Sequence, residues 1–191
     1  MSISLAKNEK LSLEKEDGSA LKRVVLGLGW DAAPKKGLFG SRATSIDLDA
    51  SAILLDAGKN VVDTVWFQKL RSSDGSIKHT GDNLTGEGDG DDEQIKVELD
   101  QVSSQVTAIV LVVSSYTGQT FDKVQNVFAR VVDGTTNNEV VRYDLRDLGS
   151  KTGSVVAKLV RTAGGWDFVA LGEAASGRTV KDFVPAAKAA A

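Results

Sequence analysis

The chain has 191 residues, 41% of them hydrophobic and 26% charged, with 26 acidic against 23 basic side chains for a net charge of −3. That is enough apolar chain for one well-buried core, and the balance of charge gives no general attraction to nucleic acid or to an anionic membrane. Cysteine is absent and His79 is the single histidine, which excludes disulfides, thiol nucleophiles and thiol redox chemistry and argues against zinc.

The first residues, Met1-Ser2-Ile3-Ser4-Leu5, carry no basic segment followed by an apolar run. No stretch reaches the length of a membrane span, so a cytoplasmic chain without a secretory leader is expected. The dominant hydrophobic period is two. Ile3 and Leu5, then Leu11 and Leu13, alternate with polar residues and predict a short hairpin. Strands are predicted over 23–30, 46–56 and 61–67, followed by a long loop from Arg71. Further strands are predicted over 94–100, 106–114, 124–132, 139–144, 154–161 and 166–171, separated by turn residues such as Asp133-Gly134 and Ala163-Gly164-Gly165. About ten short strands without a convincing amphipathic helix predict an all-β sandwich of two mainly antiparallel sheets with long acidic loops. It forms a single domain over 1–185. The Ala-rich tail 186–191 is expected to be frayed or disordered.

The long loop holds the most informative stretch. Between Gly81 and Glu93 lie six carboxylates and four glycines, with no Lys or Arg between Thr80 and Ile95. Acidic runs alone are mostly solvated turns. Interleaved glycines, however, let the backbone fold tightly and bring like charges together. Such charges repel unless a cation sits between them, and Ca²⁺ takes about six to eight oxygen ligands. A second acidic element, Ile46-Asp47-Leu48-Asp49-Ala50-Ser51, adds to this. On a strand, Ile46, Leu48 and Ala50 face the core while Asp47, Asp49 and Ser51 share the other face. Read blandly, that other face is a wet strand surface. Read functionally, its two carboxylates turn toward the glycine-acid loop and share its cations. The expected ligands are Asp47, Asp49, Asp82, Asn83, Glu87, Asp89, Asp91, Asp92 and Glu93, with Asp31 as a weaker addition. Eight negative charges in this set favour two Ca²⁺ ions over one.

Competing motifs fail on context. An EF-hand would need Gly where Asp92 stands, and flanking helices. Gly27-Leu28-Gly29-Trp30-Asp31-Ala32 matches a loose nucleotide fingerprint, but Pro34 and Gly37 deny it the following helix. Gly-Trp-Asp occurs at 29–31 and 165–167, read either as coincidence or as two similar strand ends that each pack a Trp. For catalysis there is no G-x-S-x-G elbow. His79 reads as a solvated loop residue, and a carboxylate-saturated ion leaves no open coordination position, so no enzymatic activity is expected. The basic loop at 35–42, with Phe39 among Lys35, Lys36 and Arg42, reads as solvated. It is also the feature that a Ca²⁺-dependent membrane binder of the C2 kind would use.

Three blocks taken together, Gly27-Leu28-Gly29-Trp30-Asp31, Ile46 to Ala52, and His79 to Glu93, resemble the TerD family of tellurite-resistance and stress-response proteins in order and spacing. The resemblance runs from Ile3 to about Leu171, and the Lys-Lys-Gly-Leu-Phe-Gly segment at 35–40 is similar to the TerZ branch. It implies a β-sandwich binding two Ca²⁺ ions in acidic loops, in a bacterial cytoplasmic protein peripheral to the inner membrane. It also implies partnership with paralogous TerD-family proteins and a TerC-type membrane protein. The function expected is a non-catalytic Ca²⁺-dependent sensor or scaffold. The alternatives are a C2-like membrane or ligand binder and, below it, a metal-dependent hydrolase. With no cysteine and one Met, the chain cannot reduce tellurite by thiol chemistry.

Overall fold

A computed structural model describes residues 3–4, 9–13, 21–31, 46–84 and 90–191. Two six-stranded sheets face each other. The first runs, in spatial order, β1 (Ile3–Ser4), β10 (Glu139–Asp144), β9 (Phe128–Asp133), β3 (Arg23–Gly29), β7 (Glu93–Glu98) and β6 (Ile77–His79). The second runs β2 (Lys10–Ser12), β12 (Gly165–Ala175), β11 (Gly153–Thr162), β8 (Ala108–Ser115), β4 (Leu48–Leu55) and β5 (Val61–Val65). Neighbours are antiparallel except β1, which is parallel to β10. The all-β sandwich expected from the period-two pattern is therefore the observed fold.

The alternation explains the core. Along β7, Glu93, Ile95 and Val97 are buried while Lys96 is exposed. Leu26, Leu28, Ile95, Val97 and Val131 of the first sheet meet Leu48, Leu54, Ile109, Leu111, Val113 and Phe168 of the second in one cluster. Strand β8 is buried at every position, as its continuous apolar run predicts. One face points into that core. The other, with Val110 and Val112, joins Ile53, Leu55, Val155 and Leu171 under a C-terminal cover.

That cover departs from the frayed tail expected at 186–191. A turn of 3₁₀ helix (Val180–Phe183) leads into α1 (Val184–Ala190), with Phe183 1% exposed and Ala187 fully buried. Seven residues are too few for a helix stable on its own. Burial of Phe183, about 1.5–3 kcal/mol, holds the segment to the sheet. The Thr179–Asp182 capping box and a bond from Lys158 Nζ to the Ala190 carbonyl at 2.6 Å add to it.

Two further expectations change. The expected pair of strands near the start does not form a hairpin: β1 adds to one sheet and β2 to the other. A lone hairpin buries little apolar surface, whereas separate edges put Leu13 in the core. The strand expected from Val124 starts at Phe128, because a 3₁₀ turn at Phe121–Lys123 and Asn126 at φ 50° occupy the preceding residues. Both Gly-Trp-Asp sequences do mark strand ends. Trp30 and Trp166 are buried there, and their indole N–H groups donate to the carbonyls of Ile46 and Leu99.

Candidate metal centre

The site forms where β4 outruns its neighbour. β5 pairs with β4 only from Ala52 to Leu55. Ahead of Ala52 the outward main-chain groups of β4 meet side chains instead of a strand. Glu93 Oε2 accepts the Ala50 N–H at 2.7 Å, and His79 Nε2 lies 3.2 Å from the Ala50 carbonyl oxygen. Both side chains come from the facing sheet, Glu93 from the start of β7 and His79 from the end of β6. The short strand β6 lies inside what the sequence reads as one long loop. It brings the segment 80–84 back toward β4.

Here Asp47, Asp49 and Asp82 bring carboxylate oxygens within 4.8 Å of one another. Asp82 is exposed, but Asp47 and Asp49 are only 6% and 3% exposed. They do not lie on a wet strand face. Burial, reinforced by the charges of Glu93, Asp47 and Asp82, pushes the Asp49 carboxyl up to about 8. Burial, with Asp82 and Glu93, pushes Asp47 up to about 6. Such shifts mark carboxylates held together without a countercharge.

Their hydrogen bonding says the same. Among the described residues, the buried side-chain polar atoms without a partner are Asp47 Oδ1, Asp49 Oδ2 and Ser114 Oγ. Ser114 stands directly across from Asp49 on β8, so the two share a face of the sheet. Buried polar atoms are almost always satisfied. Three oxygen atoms left open at one end of β4 and β8 are the donor set a hard cation takes, and the residues present fit Ca²⁺. Ser114 escapes sequence reasoning. The one signal for it is the end of an apolar strand that turns to Ser114-Ser115 beside an acidic partner strand.

The other expected ligands have other partners. Glu93 is fully buried, and its Oε1 accepts the Asn83 N–H at 3.2 Å. Asn83 donates its side-chain amide to Asp92 Oδ1 at 3.0 Å, and Asp92 Oδ2 accepts the Trp30 N–H at 2.9 Å. Burial raises the Asp92 carboxyl above its ordinary value, although the Trp30 bond works the other way. Asp91 is turned away from the cluster. Arg130 grips it through Nε at 2.7 Å and a second nitrogen at 3.2 Å, and Gln94 adds an amide. Asp91 lies across Gly27, where any Cβ would collide with its carboxylate. The glycine of the false nucleotide fingerprint is thus a seat for the acidic loop. Asp31 accepts from Asn126 at 2.6 Å. Glu87, Asp89 and the basic loop 35–42 lie outside the described residues.

An all-β sandwich with buried, unpartnered carboxylates at one end of β4 is the class the fold and site define. The chain belongs to the TerD family: the TerD domain matches residues 1–184. It is 50% identical to the tellurium resistance protein TerZ of Serratia marcescens over 183 residues, covering 94% of each chain. It is 37% identical to stress response protein SCP2 of Bacillus subtilis, over 96% of this chain and 98% of the relative. The crystal structure of a TerD homologue from Streptomyces coelicolor superimposes with a TM-score of 0.73 at 28% identity, covering 86% of this chain and 96% of that one. The chain is therefore a member of a tellurium-resistance and stress-response family. No helix among the described residues is long and apolar enough to cross a membrane.

Proposed function

We propose that the chain is a non-catalytic Ca²⁺-binding module, acting in the cytoplasm as a sensor or scaffold of the stress response. The observation that carries this reading is the convergence of the open oxygens of Asp47, Asp49 and Ser114 beside Asp82. An ion there would be held by Asp47, Asp49 and Asp82, with the Ser114 hydroxyl in reach of the same face. It would relieve the repulsion that raises both buried carboxyls. The cluster of Asp47, Asp49 and Asp82 supports one such ion. A second ion, as the sequence suggests, would draw on Glu87 and Asp89. Loss of the ion would loosen the segment that carries Asp82 and Asn83 against β4 and so change the surface offered to a partner.

Thermal unfolding in EDTA, then with Ca²⁺ and Mg²⁺ added separately, tests the reading. Ca²⁺ at about a hundred times its Kd stabilises the fold by about 2.7 kcal/mol, and each kcal/mol raises Tm by about 2–4 °C at this size. A Ca²⁺-selective rise is expected, and no shift with either metal would remove the proposal.

A second reading, a Ca²⁺-dependent membrane binder, is favoured by apolar groups at the rim. Leu84 is 56% exposed next to Asn83, and Tyr116, 43% exposed, donates its N–H to the Asp47 carbonyl. Sedimentation with anionic vesicles should then require Ca²⁺, and vesicles that leave the protein in the supernatant would exclude it.

A further inference from the structure

We infer that His79 and Glu93 form a positioning pair that sets the distance between the two ligand-bearing segments of the proposed Ca²⁺ site. The inference rests on that reading of the site. The bonds around the pair are specific. On the β4 side, Ala50, the residue after Asp49, gives its N–H to Glu93 Oε2 at 2.7 Å, and its carbonyl faces His79 Nε2 at 3.2 Å. On the other side, the residues flanking Asp82 are tied to the same two side chains. Gly81 donates its N–H to His79 Nδ1 at 3.0 Å, and Asn83 donates its N–H to Glu93 Oε1 at 3.2 Å. Asp49 and Asp82 are therefore each carried by main chain docked on one shared pair.

The pair is itself locked. Both side chains have no solvent exposure, and His79 Nε2 is 3.2 Å from Glu93 Oε2. Because Nδ1 accepts from Gly81, the ring proton sits on Nε2, aimed between the Ala50 carbonyl and Glu93. Each Glu93 oxygen accepts from a main-chain donor, and in the arrangement we infer the carboxylate stands behind the ligands. This arrangement also explains a short β5. Where that strand stops, the imidazole and carboxylate replace the missing ladder bonds of Ala50 and join the two sheets at the metal end. Outer groups of this kind orient ligands, and their loss commonly costs about 10- to 100-fold in metal affinity.

Two substitutions divide the work of the ring. His79→Gln keeps a donor near the Nε2 position and loses the acceptor for Gly81. His79→Asn keeps an acceptor near Nδ1 and loses the donor to Ala50 and Glu93. Calorimetric titration of untagged protein with Ca²⁺ is expected to give a Kd about 10- to 100-fold weaker for both. Tm should then rise less on adding Ca²⁺ than in the parent chain. A merely structural histidine would lower Tm equally in EDTA and in Ca²⁺ and leave Kd unchanged, and that result overturns the inference. Should the variants fold poorly, the unsubstituted protein still decides it. With one histidine in the chain, the imidazole ¹⁵N resonances are assigned without ambiguity. They should show the Nε2–H form and shift on Ca²⁺ saturation. Resonances identical in EDTA and Ca²⁺ overturn the pair as a positioning unit. Unsubstituted protein that takes up no Ca²⁺ in the titration instead removes the reading beneath it.

Discussion

Asp49, buried on β4, and Asp74, exposed in the turn before β6, are both acids of the described residues, yet the chain treats them in opposite ways. Asp74 receives four hydrogen bonds: from the Ser72 and Ser76 hydroxyls at 2.6 and 2.7 Å, and from the main-chain N–H groups of Ser76 and Ser103 at 3.0 and 2.9 Å. Partial burial works against its charge, but these donors outweigh it and hold the carboxyl down at about 2. Asp49 is more deeply buried, leaves Oδ2 without a donor and is pushed up to about 8. A carboxylate that serves the fold is surrounded by the chain's own donors. A carboxylate proposed to take a cation has its donors withheld, and the metal-free fold bears the repulsion.

The largest expected effect is on affinity. Asp49→Asn should weaken Ca²⁺ binding by more than the about 10- to 100-fold that outer-shell changes cost, while Asp74→Asn leaves the Kd where it was. Equal losses in the two variants, read by calorimetry, would erase the distinction between them.

Next comes stability without the ion. In EDTA, Asp49→Asn removes a buried, repelled charge and should leave Tm unchanged or higher. Asp74→Ala abandons four donors and should cost about 1–3 kcal/mol in EDTA and Ca²⁺ alike. Chemical denaturation of both variants under both conditions checks the pattern, and an Asp49 variant that is the less stable of the two in EDTA would contradict it.

The pH response separates the same two residues. Asp49 and Asp47 have folded values raised to about 8 and about 6 from 3.8. The metal-free fold therefore holds protons that the unfolded chain has released. Its stability should be greatest near pH 4 and fall as pH rises toward 8. Saturating Ca²⁺ displaces those protons, so the slope in this window should flatten or reverse. Asp74 acts at the other end. Its depressed value makes its contribution complete above about 3.8 and lost as pH falls through about 2. A metal-free protein whose Tm rises between pH 5 and 8 would show that Asp49 is not ionised against its surroundings.

How much of this could be read in the sequence follows from how local the cause is. Alternation and the continuous apolar run of β8 are local, and the strands expected over 94–100, 106–114 and 139–144 appear as Glu93–Glu98, Ala108–Ser115 and Glu139–Asp144. The acidic pairing of Asp47 and Asp49 with Asp82 was legible too, because charge density itself demanded an explanation. The burial of Asp47 and Asp49 was not, since it depends on segments remote in sequence, such as the one that carries Asp82, meeting β4 where β5 has stopped. His79 read as a solvated loop residue for the same reason. Three residues of β6 carry no period long enough to announce a strand, and the groups the ring meets, at Ala50 and Glu93, are remote in sequence. The C-terminal cover was missed because propensity speaks only for the isolated helix, whereas Phe183 and Ala187 are fixed by an apolar sheet face formed over a hundred residues.

The smallest expected effect concerns Asp91, an acid inside the glycine-rich stretch that the fold uses as it uses Asp74. Arg130 holds it with two bonds while also reaching Glu139 at 3.2 Å. Its carboxylate covers Gly27, so the pair pins the end of the acidic loop to the middle of β3. Asp91→Asn keeps the shape and can still accept from Arg130, but loses the charge. The Arg130 side chain is 28% exposed, so water screens part of what is lost and the cost should stay near about 1 kcal/mol. Ca²⁺ affinity should change little, because the loop remains seated. Gly27→Ala is the sharper probe of the same contact: the added methyl group must displace the Asp91 carboxylate, and with it the loop that carries Asp92 and Glu93 toward the site. If Asp91→Asn weakened Ca²⁺ as strongly as Asp49→Asn, the ion would have to reach Asp91, and the division between anchoring and ligating acids within this one stretch would fail.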